Sequence, residues 1–201
     1  MPEIRPLILV WPEALAFWSV FAWLYLMEWR QLQRRKQVSG DYKGDDKYSG
    51  LVISVGSTIL QVSAFALAFL WQPGAVPEEQ RQAFFWGGLA VMASGTVLRI
   101  QCWAALGKFF THTVTIAGDH QVINNGPYRF VRHPSYAGAL LNLIGLGLCM
   151  GNYASVAVIT LGSALMYTYR ISVEEAALEA ALGDKYRQFK LTRKRLIPYV
   201  F

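Results

Sequence analysis

Positions 112–136 hold three histidines (His112, His120, His133), two tyrosines (Tyr128, Tyr136) and two arginines (Arg129, Arg132) within 25 residues. A plain connection between two helices can be far shorter, so a polar block of this composition is a place to expect chemistry. Gly126-Pro127 permits a sharp approach into it. Pro134 suits the first position of a helix, where its missing N–H leaves nothing unsatisfied. The backbone N–H groups of Ser135 and Tyr136 are therefore expected to face the loop, and such a helix start accepts a carboxylate or a phosphate. Tyr128 and Tyr136 supply aromatic walls with polar tips. The plainer reading of the same residues makes His133 a helix cap and Arg132 an anchor at the membrane surface.

A second cluster is Arg170-Ile171-Ser172-Val173-Glu174-Glu175. Arg170 and Glu174 are four apart, so on a helix they share one face. As a functional pair, Arg170 clamps an anionic group and Glu174 holds a cationic one. The plainer reading is an intrahelical ion pair worth a few tenths of a kcal/mol, about 0.3–0.5, in the less favourable order of cation before anion.

The elements that must position these residues are read from where charge is missing. Of the 201 residues, 54% are hydrophobic and only 16% are charged, with a mean hydropathy of +0.27; soluble domains carry about 25% charged residues. Residues 51–71 contain no Asp, Glu, Lys or Arg, and neither do residues 137–169. Uncharged apolar runs of about 18 residues or more are long enough to cross a bilayer. The pattern excludes a secreted domain, a soluble dinucleotide-binding enzyme and a disordered chain.

Spans are expected at 7–27, 51–71 and 84–106. The 137–169 run is too long for one helix, and Gly151-Asn152 near its middle makes it a hairpin of two shorter spans. Gly145, Gly147, Gly151 and Gly162 would allow close helix contact. A polar amphipathic helix and a basic tail follow Arg170. The first span is not a signal peptide: it is too long and ends in Glu28-Trp29-Arg30 with no small-residue cleavage site. The expected fold is an all-α polytopic membrane bundle of about five transmembrane helices plus a cytoplasmic amphipathic helix. It forms one membrane domain over 1–201, with two spans in 1–83 and the third span, the loop and the hairpin in 84–201. Arg99, toward the end of the third span, is expected to snorkel to the surface. Cys102 and Cys149 lie in apolar segments without ligand spacing and read as small buried hydrophobes, so no metal site is expected.

Placing the charges orients the bundle. Segments 30–50, 107–134 and 170–201 carry 16 of the 19 basic residues and fall on one side, with Arg5 and Arg81 opposite. The positive-inside rule puts the N-terminus outside, and both candidate clusters and the C-terminus in the cytoplasm. The net charge of +6 is thus an orientation signal. No nucleic-acid module accompanies it, and no nucleic-acid partner is expected.

The block Gly126-Pro127-Tyr128, Arg132-His133-Pro134-Ser135-Tyr136 and Gly138 resembles the signature of the isoprenylcysteine carboxyl methyltransferase family. So do Phe109-Phe110-Thr111-His112 before it, and Arg170, Glu174-Glu175, Leu178, Gly183 and Tyr186 after it. Thr192 and Arg195-Leu196-Ile197-Pro198 close the resemblance, which spans roughly residues 105–201. It implies a membrane-embedded, S-adenosylmethionine-dependent methyltransferase whose cofactor pocket faces the cytoplasm. It further implies that His120, Gln121, Val122 and Ile123 line the cofactor, partly through backbone groups. Tyr128 and the turn His133-Pro134-Ser135-Tyr136 would continue the pocket. Glu174 would hold the cofactor's cationic end, and Arg170 the substrate carboxylate. Thr115 stands where the animal enzymes carry Gln.

The expected reaction is O-methylation of a lipophilic carboxylate, of the prenylated-cysteine class, reached from the bilayer. A carboxylate is already ionised at pH 7, with a pKa of about 3.5, and needs no general base. Two enzymatic alternatives stay open. In a phospholipid or amine N-methyltransferase Arg170 would hold a phosphate. A membrane reductase using NADPH is suggested by the RHPxY string alone. In a non-catalytic membrane protein the polar blocks would be only anchors.

Overall fold

The computed structural model describes residues 5–36, 47–107 and 122–198. Among the described residues six α-helices follow one another: α1 (Glu13–Lys36), α2 (Ser49–Leu70), α3 (Glu78–Leu106), α4 (Pro134–Cys149), α5 (Tyr153–Leu182) and α6 (Asp184–Thr192). The described residues contain no strand, only the isolated bridges Ala75–Asn152 and Val131–Lys194. α2, α3 and α5 are each long and apolar enough to cross a membrane, and α4 is a shorter apolar helix. The protein is an all-α membrane bundle.

Helix ends are where the chemistry of the chain puts them. α3 starts directly after Pro77, and α4 starts on Pro134 itself. Asn152 caps α5 with its side chain, accepting from the N–H groups of Ala154 (2.9 Å) and Ser155 (3.2 Å), which satisfies donors that a helix start leaves orphaned. Its amide also donates to the carbonyl of Trp71 at 3.0 Å, tying the α4–α5 hairpin to the end of α2. Gly151 turns the hairpin with φ of 62° and Gly183 ends α5 with φ of 56°, in the left-handed region that side chains disfavour.

Several boundaries differ from the sequence expectation, among them the start of α3 at Glu78 rather than at 84. Leu7–Leu9 is a separate 3₁₀ turn, and α1 begins only at Glu13 but continues past Met27 to Lys36. Good helix formers follow Arg30, with no Gly or Pro to stop the helix. α5 likewise does not end at Tyr169 but runs unbroken for 30 residues to Leu182. Ala176, Ala177, Leu178, Glu179, Ala180 and Ala181 favour a helix, and the first breaker is Gly183. At a 1.5 Å rise α5 is about 45 Å long, against a hydrocarbon core of about 30 Å, so one end stands clear of the membrane. Arg170 marks where the apolar stretch ends, and the expected amphipathic helix is this projecting part together with α6.

The most extensive packing joins α3 to α4. Gly88 and Gly95 on α3 face Gly145 and Gly138 on α4. A Cβ added at Gly145 would come within 2.6 Å of the Gly88 carbonyl oxygen, and one at Gly95 within 2.5 Å of that of Gly138. Small residues at such a seam let the backbones meet, which is how helices associate where lipid offers no hydrophobic driving force. Gly162 admits Leu60 of α2, and Gly147 lies against Val156 of α5. Gly151 serves the turn and makes no such contact. Phe17, Phe85, Met92, Met150 and Ile159 are fully buried between the helices.

Candidate functional site

The approach to α4 is a short 3₁₀ turn, Gly126–Arg129, that buries Tyr128 against the end of α3. Burial there pushes the Tyr128 phenol well above its usual range, so the ring is a neutral wall with a hydroxyl. Val122 and Ile123 are half-buried on the way in. Thr115, His120 and Gln121, and with them His112, lie outside the described residues.

His133 occupies the cap position of α4, but its side chain makes no cap. The ring stacks on Tyr136, with centroids 5.7 Å apart, and Nε2 lies 3.2 Å from Glu175 Oε1. The expected pair of free N–H groups at the start of α4 is not formed: the Tyr136 N–H donates to the His133 carbonyl at 3.0 Å. Pro134 and Ser135 are buried, and both the carbonyl and hydroxyl of Ser135 are turned toward Arg99. The polar surface of this turn is therefore built from side chains rather than from a bare helix end.

Arg170 is 3% exposed. Its Nε donates to the Tyr136 hydroxyl at 3.0 Å, and its Nη1 donates to Ser49 Oγ at the start of α2. The Tyr136 hydroxyl in turn donates to Glu174 Oε2. Arg170 and Glu174, four apart on α5, are thus bridged by a residue of α4, which makes a three-residue unit where a simple intrahelical pair was the plainer expectation. Glu174 is only half-buried. Nothing in the sequence pointed to Ser49, which lies 121 residues from Arg170.

Behind this unit, Glu175 collects two guanidiniums and an imidazole. Its Oε1 accepts from Arg132 Nε at 2.8 Å and faces His133, while its Oε2 accepts from Arg195 Nη2 at 3.1 Å. Arg132 also donates to the carbonyls of Lys190 and Arg193. The backbone joins in, with Arg132 N–H to Lys194 O at 2.8 Å and His133 N–H to Arg195 O at 2.9 Å. Residues 193–195 are thereby stapled alongside the turn that enters α4. Arg132 is a structural clamp here rather than a surface anchor.

Glu175 stands past the apolar stretch of α5 and is 3% exposed. Burial works to raise its pKa, but the His133 hydrogen bond and the charges of His133 and Arg132, helped by Arg195, hold it down at about 2. A carboxyl lowered on folding stabilises the protein above its ordinary pKa of 4.5, and the contribution is lost as pH falls toward about 2. Removing the charge from a buried network costs about 3 kcal/mol, or about 6–12 °C in a chain of this size. Glu175→Gln is therefore expected to lower the unfolding midpoint in detergent by that amount at pH 7. The gap to the parent should narrow as pH drops below the ordinary value, and a scanning fluorescence series across pH reads both effects.

Arg99 does not snorkel. It is 8% exposed, with its guanidinium paired to Glu28 of α1 through two bonds, one of them 2.9 Å from Nη2 to Oε2. Its Nη1 donates to Ser135 O at 3.1 Å and Ser135 Oγ at 3.3 Å, and its side chain lies over the Trp103 ring. An intramembrane arginine needs a partner. Here the partner sits 71 residues away, and the network fixes the first turn of α4 to α1 and α3. Glu28 read in the sequence only as the end of a span.

Residues 88–180 match the family model described as the isoprenylcysteine carboxyl methyltransferase family. Among curated proteins, the protein-S-isoprenylcysteine O-methyltransferase of Schizosaccharomyces pombe is 32% identical over 114 residues, 56% of this chain and 48% of that protein. The probable protein-S-isoprenylcysteine O-methyltransferase of Oryza sativa subsp. indica is 28% identical over 145 residues, 71% of this chain and 76% of that protein. The chain thus spans about half the length of the fission yeast relative and three quarters of the rice one. Among solved structures, that of the eukaryotic intramembrane Ras methyltransferase, isoprenylcysteine carboxyl methyltransferase, superposes with a TM-score of 0.68. The match covers 96% of this chain and 70% of that one at 22% identity, and so speaks for the fold.

Proposed function

We propose that the chain, whose residues 88–180 match the isoprenylcysteine carboxyl methyltransferase family model, transfers a methyl group from S-adenosylmethionine to the carboxylate of a lipid-modified acceptor of the prenylated-cysteine class. The observation that carries this reading is the Arg170–Tyr136–Glu174 unit, which sets a cation for an acid beside an anion for a cationic donor. It stands where the apolar part of α5 ends, so a lipophilic acceptor reaches it laterally from the bilayer and a water-soluble donor from the cytoplasm.

The residues present fit S-adenosylmethionine. Glu174 is half-buried and takes the Tyr136 hydrogen bond on one oxygen, which leaves the other for a cationic ligand group. The His133 and Tyr136 rings, stacked on each other, form a face for the donor, and Tyr128, Val122 and Ile123 continue it. Pro134 and Ser135 belong to the same turn. His120 and Gln121, and Thr115 beyond them, complete the proposed lining. When bound, the sulfonium supplies an activated methyl carbon.

Arg170 orients an acceptor carboxylate that is already ionised at neutral pH, so this chain supplies no base. Its contribution is proximity, orientation and exclusion of water, which together account for several orders of magnitude in rate. Tyr136 keeps the two charged side chains at a fixed spacing. The distribution of basic residues supports a cytoplasmic position for this face, with the N-terminus opposite.

Calorimetric titration of the purified protein with S-adenosylmethionine and with NADPH tests the class. S-adenosylmethionine is expected to bind and NADPH not. Binding of NADPH alone would make the protein a reductase, and binding of neither would leave it without this function. With a labelled methyl donor and membrane extract, the product is expected to be a base-labile ester. A base-stable methylamine in the lipid fraction would indicate an amine acceptor instead.

A further inference from the structure

Outside the proposed site, the tail and the turn enclose a groove of about 690 Å³, lined by Arg129, Phe130 and Arg132 on one side and by residues 190–195 with Pro198 on the other. Its cations fall into two groups. Arg132 and Arg195 share the single carboxylate of Glu175, and Lys190 pairs with Glu179 at 2.8 Å. Arg129, Arg193 and Lys194 meet no carboxylate among the described residues. Arg193 donates to Asn124 Oδ1 and to the Thr192 carbonyl, while its buried Nε has no acceptor. Arg129 lies over the Phe130 ring, 4.4 Å from its centroid.

The apolar side chains around these cations are bare. Leu191 is 88% exposed, Ile197 55% and Phe130 53%. Such exposure is unfavourable in water and ordinary at a membrane interface, where basic heads meet phosphates and apolar side chains enter the acyl boundary. The groove lies at that level. Its wall is held by backbone bonds to Arg132 and His133, the residues directly before Pro134, where apolar α4 begins.

We propose that this groove binds the headgroup of an anionic phospholipid. Arg129, Arg193 and Lys194 pair with its phosphate, and Phe130, Leu191 and Ile197 seat against the upper acyl chains. Each basic residue near such a surface adds to the attraction for an anionic headgroup, so the preference for an anionic over a zwitterionic lipid is expected to be about tenfold or more. The proposal is independent of the methyl-transfer reading, because it uses other side chains and its test requires no turnover.

The test is native mass spectrometry of the full chain in detergent micelles containing equal amounts of phosphatidylglycerol and phosphatidylcholine. The parent should retain the anionic lipid at least about tenfold more, and the triple variant Arg129→Gln, Arg193→Gln, Lys194→Gln should retain the two about equally. If that variant does not remain monodisperse, Lys194→Gln alone and the parent at about 1 M salt, where the screening length falls to about 3 Å, must each reduce the preference. Equal retention by the parent overturns the proposal, and so does an undiminished preference in the variants. Complete displacement of the lipid by millimolar inorganic phosphate would assign the groove to a soluble anion and overturn the lipid source.

Discussion

Arg170→Ala is expected to lose methyl transfer while the protein still binds S-adenosylmethionine. The guanidinium is buried and held on two sides, by the hydroxyls of Tyr136 and Ser49, so it is pre-set to receive a planar acid. A hydrogen bond to a charged partner contributes about 1.5–3 kcal/mol, and a fork makes two, so kcat/KM should fall by about 10²–10⁴. Transfer of a labelled methyl group measures the loss, and calorimetry measures the donor affinity that remains. Arg170→Lys retains the charge but not the fork and should recover only part of the rate. A variant lacking Arg170 that turns over like the parent would remove Arg170 from the site.

Glu174→Gln should produce the opposite division. It keeps the shape and a hydrogen-bond acceptor for Tyr136 but no longer carries the charge that faces a cationic ligand. The dissociation constant for S-adenosylmethionine is expected to rise by about 10–100-fold, from the loss of one charge-assisted contact. The rate at saturating donor should change much less, because Arg170 remains in place. The two variants thus separate acceptor from donor. Were Glu174→Gln to bind the donor as the parent does and lose only turnover, the assignment of the two residues would have to be exchanged.

Much of this arrangement was legible in the chain. Stretches without charge marked the apolar parts of α2, α4 and α5, Gly151-Asn152 marked the hairpin, and Arg170 and Glu174 shared a face as their spacing required. What escaped reading is long-range. Nothing near Arg99 points to Glu28, and only the packing of α1 on α3 brings them together. Glu174 and Glu175 look alike side by side, yet successive residues on a helix point about 100° apart. One meets Tyr136 and the other Arg132, His133 and Arg195. The Tyr136 bridge needed the crossing of α4 and α5, and the boundary at Tyr169 failed because polarity changes there while helix propensity does not.

The stapling of residues 193–195 to the turn before α4 has a consequence in time. Synthesis runs from the N-terminus, at about 5–20 residues per second. The seam between α3 and α4 and the caps of the hairpin can therefore form while the segment that holds Arg132 and Glu175 is still being made. Until Arg195 is available, Glu175 lacks one of its three side-chain partners and the turn lacks its parallel neighbour. Closure of the candidate site therefore requires residues 193–195, whereas the seam between α3 and α4 does not.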